Sequence, residues 1–273
     1  MTQILEVSSE WLALREPADA DARARELALS AAAILPPGPI VVHDLGSGTG
    51  SMMRWLAPLL PGPQTWVLHD WNAELTELAI GGQLPHDRDN GAVSAHSKTG
   101  NLADLLPADL AGASLVTASA LLDVLTSREI HVIVDACVRA SCPALFALSV
   151  TGDVGLIPRN ELDAEFARAF NAHQLRTADH RSQLGRYGAP IARGLFVEAG
   201  WQVRENTTVW HLDHRQPRLL QEWLDGWIAA ALEQEPALRT RAARYRQLRT
   251  SQIEHGELAV EVRHVDLLAW PHT

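Results

Sequence analysis

The chain is poor in cysteine, in lysine and in long apolar runs. Its two cysteines, Cys137 and Cys142, stand five apart with no C-x-x-C. That spacing argues against a disulfide framework and for reduced thiols in a cytoplasmic protein. Lys98 is the only lysine, and 33 acidic residues outweigh 23 basic ones for a formal charge of −10. Such a balance disfavours dependence on neutralising phosphates, so no nucleic-acid partner is expected. No apolar run approaches the ~18 residues of a membrane span, so no membrane partner is expected. The first residues include Glu6 and Glu10 and lack a basic-then-apolar leader, so no signal peptide is expected. What is present, 47% hydrophobic residues in a chain of 273, suffices for a sizeable core.

The informative stretch runs from Ile40 to Leu60. Ile40 to Leu45 is a short apolar run ending in Asp44-Leu45, which reads as a buried strand. Gly46, Gly48 and Gly50 follow, then Met52, Met53, Trp55, Leu56, Leu59 and Leu60 at helical spacing. Strand, glycine turn and helix let backbone approach a nucleotide cofactor, because glycine has no Cβ in the way. A dinucleotide fingerprint wants glycine or alanine where Ser51 stands, and here Asp44 precedes the first glycine by two.

This D-x-G-x-G-x-G pattern resembles motif I of the class I S-adenosylmethionine (SAM) methyltransferases. The resemblance implies that Gly46, Ser47, Gly48 and Gly50 pass under the methionine half of SAM, with Asp44 supporting the turn near its amino group. Thr65 to His69 is expected to be the second strand, ending in Asp70-Trp71. An acidic residue about 20 positions past the glycine turn takes the ribose hydroxyls in nucleotide-binding α/β folds, and a carboxylate can accept from both members of a cis-diol. Asp70 is therefore expected at the ribose, the competing reading being a helix cap for Asn72 onward. Trp71 is placed beside the adenine. The family often has an acidic residue, then an apolar one, at the adenine amino group; Asn101 and Leu102 stand there, with the charge absent but an acceptor oxygen kept.

Before the glycine strand, Ser8 reads as the cap of a first helix, and Asp19 as the cap of a second with Ala24, Leu27, Ala28, Ala31 and Leu35 on its apolar side. The resemblance places these helices over the cofactor and substrate mouth, either as such a cover or as a plain packing pair. Arg15 is the expected partner of the SAM carboxylate. Further strands are expected at 92–96, 113–117, 143–150, 201–212 and 258–270, the fourth leading through Ser119, placed at the cofactor, to Asp123. Asp123 reads either as a base or hydroxyl orienter or as a cap of the helix from Ser127.

The family's nucleic-acid amine enzymes carry (N/D)-P-P-(Y/F) after the fourth strand, its cytosine-C5 enzymes a Pro-Cys nucleophile, and its protein-arginine enzymes paired glutamates. None of these is present, which favours a small-molecule acceptor. Residues 151–183 read as a polar, partly helical insertion carrying His173 and His180, without the spacing of a metal site. His180, Tyr187, His211 and Asp123 are candidates to take or orient a proton, with His180, Tyr187 and Asp123 preferred. Leu219, Leu220, Trp223, Leu224, Trp227 and Ile228 make one apolar stripe on a helix from Pro217 to Glu235. The five arginines from Arg239 to Arg249 read as a solvated face or an attraction for an anionic substrate. The nine tryptophans either fill the core or stack on an aromatic or sugar acceptor.

The expected fold is α/β: a Rossmann-like, seven-stranded, mostly parallel sheet with helices on both faces and a helical lid. One domain is expected over 1–273, its core at about 39–150, 185–212 and 257–270, its lid at 1–36, 151–184 and 213–256. The layout resembles the trans-aconitate and malonyl carrier-protein methyltransferases, although no motif transfers either substrate. The implied activity is metal-free methyl transfer from SAM to an oxygen of a small molecule, by a monomer or homodimer. A non-catalytic SAM-binding protein and an NAD(P)-dependent oxidoreductase are the rival readings.

Overall fold

The computed structural model describes residues 7–178 and 181–272. Its sheet strands are β1 (Ile40–Leu45), β2 (Gln64–Asp70), β3 (Val93–Thr99), β4 (Leu115–Ser119), β5 (Ala144–Ile157), β8 (Gln202–Leu212) and β9 (Ala259–Trp270), with a separate small hairpin of β6 (Thr177–Ala178) and β7 (Arg181–Ser182). The α-helices are α1 (Ser9–Ala22), α2 (Arg25–Ile34), α3 (Ser51–Leu56), α4 (Ala73–Gly81), α5 (Ser127–Ala140), α6 (Asp163–His173), α7 (Gly188–Glu198), α8 (Pro217–Gln234) and α9 (Arg239–Glu254).

The seven strands order as β3-β2-β1-β4-β5-β9-β8, with only β9 running against the rest. This is a Rossmann-like, mostly parallel sheet. Its central strands are near-continuous apolar runs because both faces are covered. On one face Leu45, Val116 and Phe146 pack against Ile133 of α5 and Phe196 of α7. On the other, Val42, Trp66 and Leu145 meet Leu27 of α2 and Met53 of α3. A third cluster joins α6, α8 and α9 above the long ends of β5, β8 and β9, where Phe166 and Tyr245 stack at 4.6 Å. Among the described residues, no helix is long and apolar enough to cross a membrane.

Local chemistry accounts for the element ends. Ser8 caps α1, accepting from the Trp11 N–H at 3.2 Å. Thr126 and Glu129 form a reciprocal capping box at the start of α5. Ile130, Ile133, Val134 and Cys137 of α5 then repeat at helical spacing into the core. Cys137 and Cys142 are both free and buried, and burial raises both thiols, Cys142 to about 12.

Three expectations are corrected. Asp19 caps no helix; it lies inside α1, buried, and α2 begins with Ala24 as its N-cap. The Ala24 N–H is taken instead by Asp266 of β9 at 2.8 Å, a partner 242 residues away. Residues 151–157 belong to β5, not to an insertion, because the long β9 pairs along it to Ile157↔Ala259. Register shifts between Phe146 and Ser149 and between Val150 and Val154 let the strand bend as it extends beyond the parallel sheet. Finally, Arg249 is no part of a solvated basic face. It is fully buried, donating to Asp163, the Pro158 carbonyl and Gln252.

Gly188 is required by packing alone. It opens α7 against the backbone of Leu122, and a Cβ there would come within 2.4 Å of the Leu122 carbonyl oxygen. Gly188→Ala should therefore destabilise the fold by about 1–3 kcal/mol, the cost of overpacking a site with no flexible neighbour. Urea unfolding checks this: the midpoint should fall with the slope unchanged, and an unmoved midpoint would show that the Leu122 loop yields freely.

Candidate functional site

In an open α/β sheet the strand ends gather at the point where the order reverses, and ligands bind there. Here that point lies between β1 and β4. Beyond β1, Gly46, Gly48 and Gly50 take φ values of +64°, +51° and +82°. Side-chain-bearing residues resist this region. Space reinforces the requirement, since a Cβ at Gly46 would lie 2.7 Å from Leu121 Cδ1. The turn is tied to β2: Ser47 N–H donates to the His69 carbonyl at 2.9 Å, and Gly48 N–H donates to Asp70 Oδ2 at 2.9 Å. Asp70 Oδ1 accepts from Asn72 N–H at 2.9 Å. Asn72, not Asp70, caps α4. Each carboxylate oxygen has two acceptor sites, so Asp70 retains capacity for further donors on its cavity side.

The turn forms one end of a cavity of about 860 Å³. That lies in the range of roughly 300–1,000 Å³ found for small-molecule and cofactor sites. Several polar atoms around the turn are buried without a hydrogen-bond partner: Asp44 Oδ2, Ser47 Oγ and Thr49 Oγ1. Unpaired buried groups of this kind are uncommon, and ordered water or a bound ligand supplies the missing partner. Asp44 also accepts from Thr117 Oγ1 at 2.8 Å. Burial raises its pKa to about 7, against the opposing effects of the Thr117 hydrogen bond and the Arg23 charge. Ala120, just past β4, and Leu148, at the first register shift within β5, take φ values of +51° and +55°, and both line the cavity. Strained backbone of this kind concentrates at ligand sites.

Next to the turn lie two arginines from the α1–α2 region. Arg15 grips Asp19 through Nε and Nη2 at 3.0–3.3 Å, and its guanidinium carbon lies 5.0 Å from the centre of the Trp210 ring. Trp210 Nε1 donates to the same Asp19 carboxylate at 3.1 Å. Arg23 is buried and donates to Ser51 Oγ at 2.9 Å and Ser119 Oγ at 3.0 Å. Burial lowers its pKa, opposed by the Asp19 charge.

The far end of the cavity is bounded below by the β5–β9–β8 face and above by α8 and α6. Its polar groups include Asp123, half-buried, with Oδ1 unpartnered among the described residues and a pKa raised by burial to about 6. His264, on β9, makes no hydrogen bond to another side chain among the described residues, and burial together with the Arg15 charge lowers its pKa to about 4. Glu129 and Arg181 form a two-pronged ion pair on the wall.

The residues expected at a cofactor all line this cavity except Gly50, which sits behind the turn near Ala79 and Arg54. Trp71 is 42% exposed at the rim. Asn101 uses its side-chain oxygen to cap the short 3-10 turn at Leu102, accepting from Ala103 N–H at 2.9 Å. Of the proton-handling candidates, only Asp123 is brought to the cavity. Tyr187 is 44% exposed, bonded to Arg186, and stands outside the lining; His211 faces Glu261 on the exposed side of β8; His180 lies outside the described residues. His173 does line the cavity, with Glu233 at 3.1 Å. Among the described residues, no group of three or more His, Cys, Asp or Glu is arranged to hold a metal ion.

Arg23 and His264 escaped the sequence reading. Nothing near Arg23 announces it, whereas His264 carried a signal. In β9 the buried phase runs Val260, Val262, His264, Asp266, so two ionisable residues occupy inward positions.

No protein-family model matches the chain, and no curated protein matches it in sequence. Solved structures similar to it include a mycolic acid cyclopropane synthase complexed with S-adenosylhomocysteine (13% identity, 90% of this chain and 82% of that one, TM-score 0.47). A cyclopropane synthase from Mycobacterium tuberculosis gives 13% identity over 96% and 94%, with a TM-score of 0.49. A geranyl diphosphate methyltransferase complexed with SAM gives 12% identity over 91% and 84%, with a TM-score of 0.43. Likeness at this level assigns neither an activity nor a substrate to this chain.

Proposed function

We propose that the protein is a SAM-dependent methyltransferase acting on an oxygen of a small molecule. The observation that carries this reading is the Asp70–Gly48 link. A strand-end carboxylate is fastened to a turn of left-handed glycines at the β1/β4 reversal, and the same cavity continues past the turn to residues of β5, β8 and β9.

The residues fit such a cofactor. Asp70 would take the ribose hydroxyls, with Trp71, Leu75 and Leu102 about the base and Asn101 offering its remaining acceptor site. Gly46 and Gly48 would allow close backbone approach. The unpaired Asp44 and Ser47 atoms would meet polar groups at the amino-acid end. Arg15 Nη1 makes no hydrogen bond among the described residues, which leaves a donor for the carboxylate. When bound, SAM supplies an electrophilic sulfonium methyl group, transferred by in-line displacement to leave a thioether.

The chain's own part is to align the acceptor, exclude water and hold the displaced proton. Asp123, with a pKa near 6, is suited to receive a proton at neutral pH. Walls from α1, α6 and α8 close over the strand ends and would shield the reacting atoms.

Thermal denaturation with and without ligand tests the reading. S-adenosylhomocysteine should raise the Tm, by linkage to the folded state, and NAD and NADP should not. A shift with NAD alone would replace this proposal with an oxidoreductase.

A further inference from the structure

The chamber beyond the glycine turn is aromatic, and each arginine that reaches it already stands beside a carboxylate. Trp11, Trp210, Trp223, Trp227 and Phe170 contribute to its wall, with Trp223 and Trp227 stacked at 5.4 Å and 17°. Flat indole surfaces favour flat partners by stacking, beyond the area they bury. The three arginines that reach the cavity, Arg15, Arg23 and Arg181, each stand within 4 Å of a carboxylate: Asp19 for the first two and Glu129 for the third. At the chamber's outer wall, Glu222 and Asp225 add negative charge, although Arg218 and Arg246 stand near them. A carboxylate or phosphate entering here would meet more acidic than basic groups. A cation would meet Arg15, whose charge acts on both His264 and Asp123.

One polar group on the floor stands out. His264 lines the cavity, lies against the Trp210 ring at 5.8 Å, and makes no hydrogen bond to another side chain among the described residues. The groups packed about it, Val150 and Thr208 on the neighbouring strands and Trp210 beside it, provide no acidic partner that would hold the ring protonated. Neutral imidazole offers one acceptor nitrogen, which can take a hydrogen bond from a bound hydroxyl.

We propose that the methyl acceptor is an uncharged, planar aromatic alcohol, stacked on the tryptophan wall with its hydroxyl oriented by His264. This rests on the methyltransferase reading and narrows its substrate to one chemical class. It distinguishes this site from one built to take a carboxylate or diphosphate acceptor, which would present guanidinium groups with no carboxylate beside them.

The experiment uses 2-naphthol as the probe, 2-naphthoate as its anionic counterpart, and S-adenosylhomocysteine, each titrated into the full chain by calorimetry and by tryptophan fluorescence. The naphthol should bind and quench, and the naphthoate should bind at least tenfold more weakly. His264→Phe, which keeps a ring but removes both nitrogens, should weaken naphthol roughly tenfold and leave S-adenosylhomocysteine binding within twofold. Trp223→Ala, on the half-buried face of α8, should weaken naphthol without changing the His264 dependence, and it serves where the Phe variant fails to fold. Equal binding of naphthol and naphthoate would overturn the inference, as would absent naphthol binding with S-adenosylhomocysteine binding intact. Naphthol binding with no S-adenosylhomocysteine binding would instead overturn the methyltransferase reading and leave the chamber an aromatic-alcohol site.

Discussion

Asp70→Ala should reduce affinity for S-adenosylhomocysteine by two orders of magnitude or more while the chain still folds. Two effects act together. On the proposed reading, the substitution removes the acceptor for both ribose hydroxyls, and charge-assisted hydrogen bonds are worth roughly 1.5–3 kcal/mol each before water competes. It also frees the Gly48 and Asn72 N–H groups, which Asp70 now holds at 2.9 Å each, so the glycine turn loses its tie to β2. Folding should survive because Asp70 ends its strand and because α4 has its own cap in Asn72. Asp70→Asn separates the two effects, since an amide oxygen can still accept from one N–H. Calorimetry should place it between wild type and Asp70→Ala. Unchanged affinity in the alanine variant would mean that Asp70 serves the turn alone.

Asp44→Asn should raise stability above neutral pH while weakening the ligand. Burial raises the Asp44 carboxyl from 3.8 to about 7, so the folded chain favours its neutral form. The contribution to stability is then fully present below about pH 4 and is lost as pH rises through about 7. At pH 8 the ionised group costs the fold roughly 4 kcal/mol, using 1.4 kcal/mol per pKa unit. An amide never ionises, and its oxygen can still accept from Thr117. The ligand-free variant should therefore melt about 5–10 °C higher than wild type at pH 8. The gap should close as pH falls towards 4. Binding of S-adenosylhomocysteine should weaken, because the unpaired Oδ2 is the atom a cofactor's ammonium group would meet. A gap independent of pH would show that Asp44 titrates as an ordinary carboxylate, and a more stable variant with undiminished binding would remove it from the site.

Both residues were legible in the sequence because what marks them is local. Asp44 ends an apolar strand, three glycines follow it at every second position, and Asp70 ends the next strand. Neighbouring residues with strong conformational preferences specify such a unit without help from the rest of the chain. The amphipathic stripe of α8 was legible for the same reason. The failures have the opposite character. Asp19 resembled a cap by composition, yet it faces Trp210, 191 residues away, and Arg15 and Arg23 beside it. Asp266 does the capping at Ala24, and no local pattern announces a cap that arrives from another strand. Arg249 matched its exposed arginine neighbours in type and was set apart only by facing Asp163.

The amino-acid sequence by itself determined the glycine turn, the order of strands and helices around it, and the positions of Asp44 and Asp70. Each follows from backbone preference and hydrophobic period within a few residues. The tertiary structure alone decided what surrounds the far chamber. His264 from β9, Trp210 from β8, Arg15 from α1 and Trp223 from α8 meet there because the antiparallel end of the sheet and the helices above it fold over the strand ends. It also decided which charges are free. Arg15 and Arg23 meet Asp19 only four residues away, whereas Arg181 meets Glu129 across 52 residues and Arg249 meets Asp163 across 86, distances set by packing between segments.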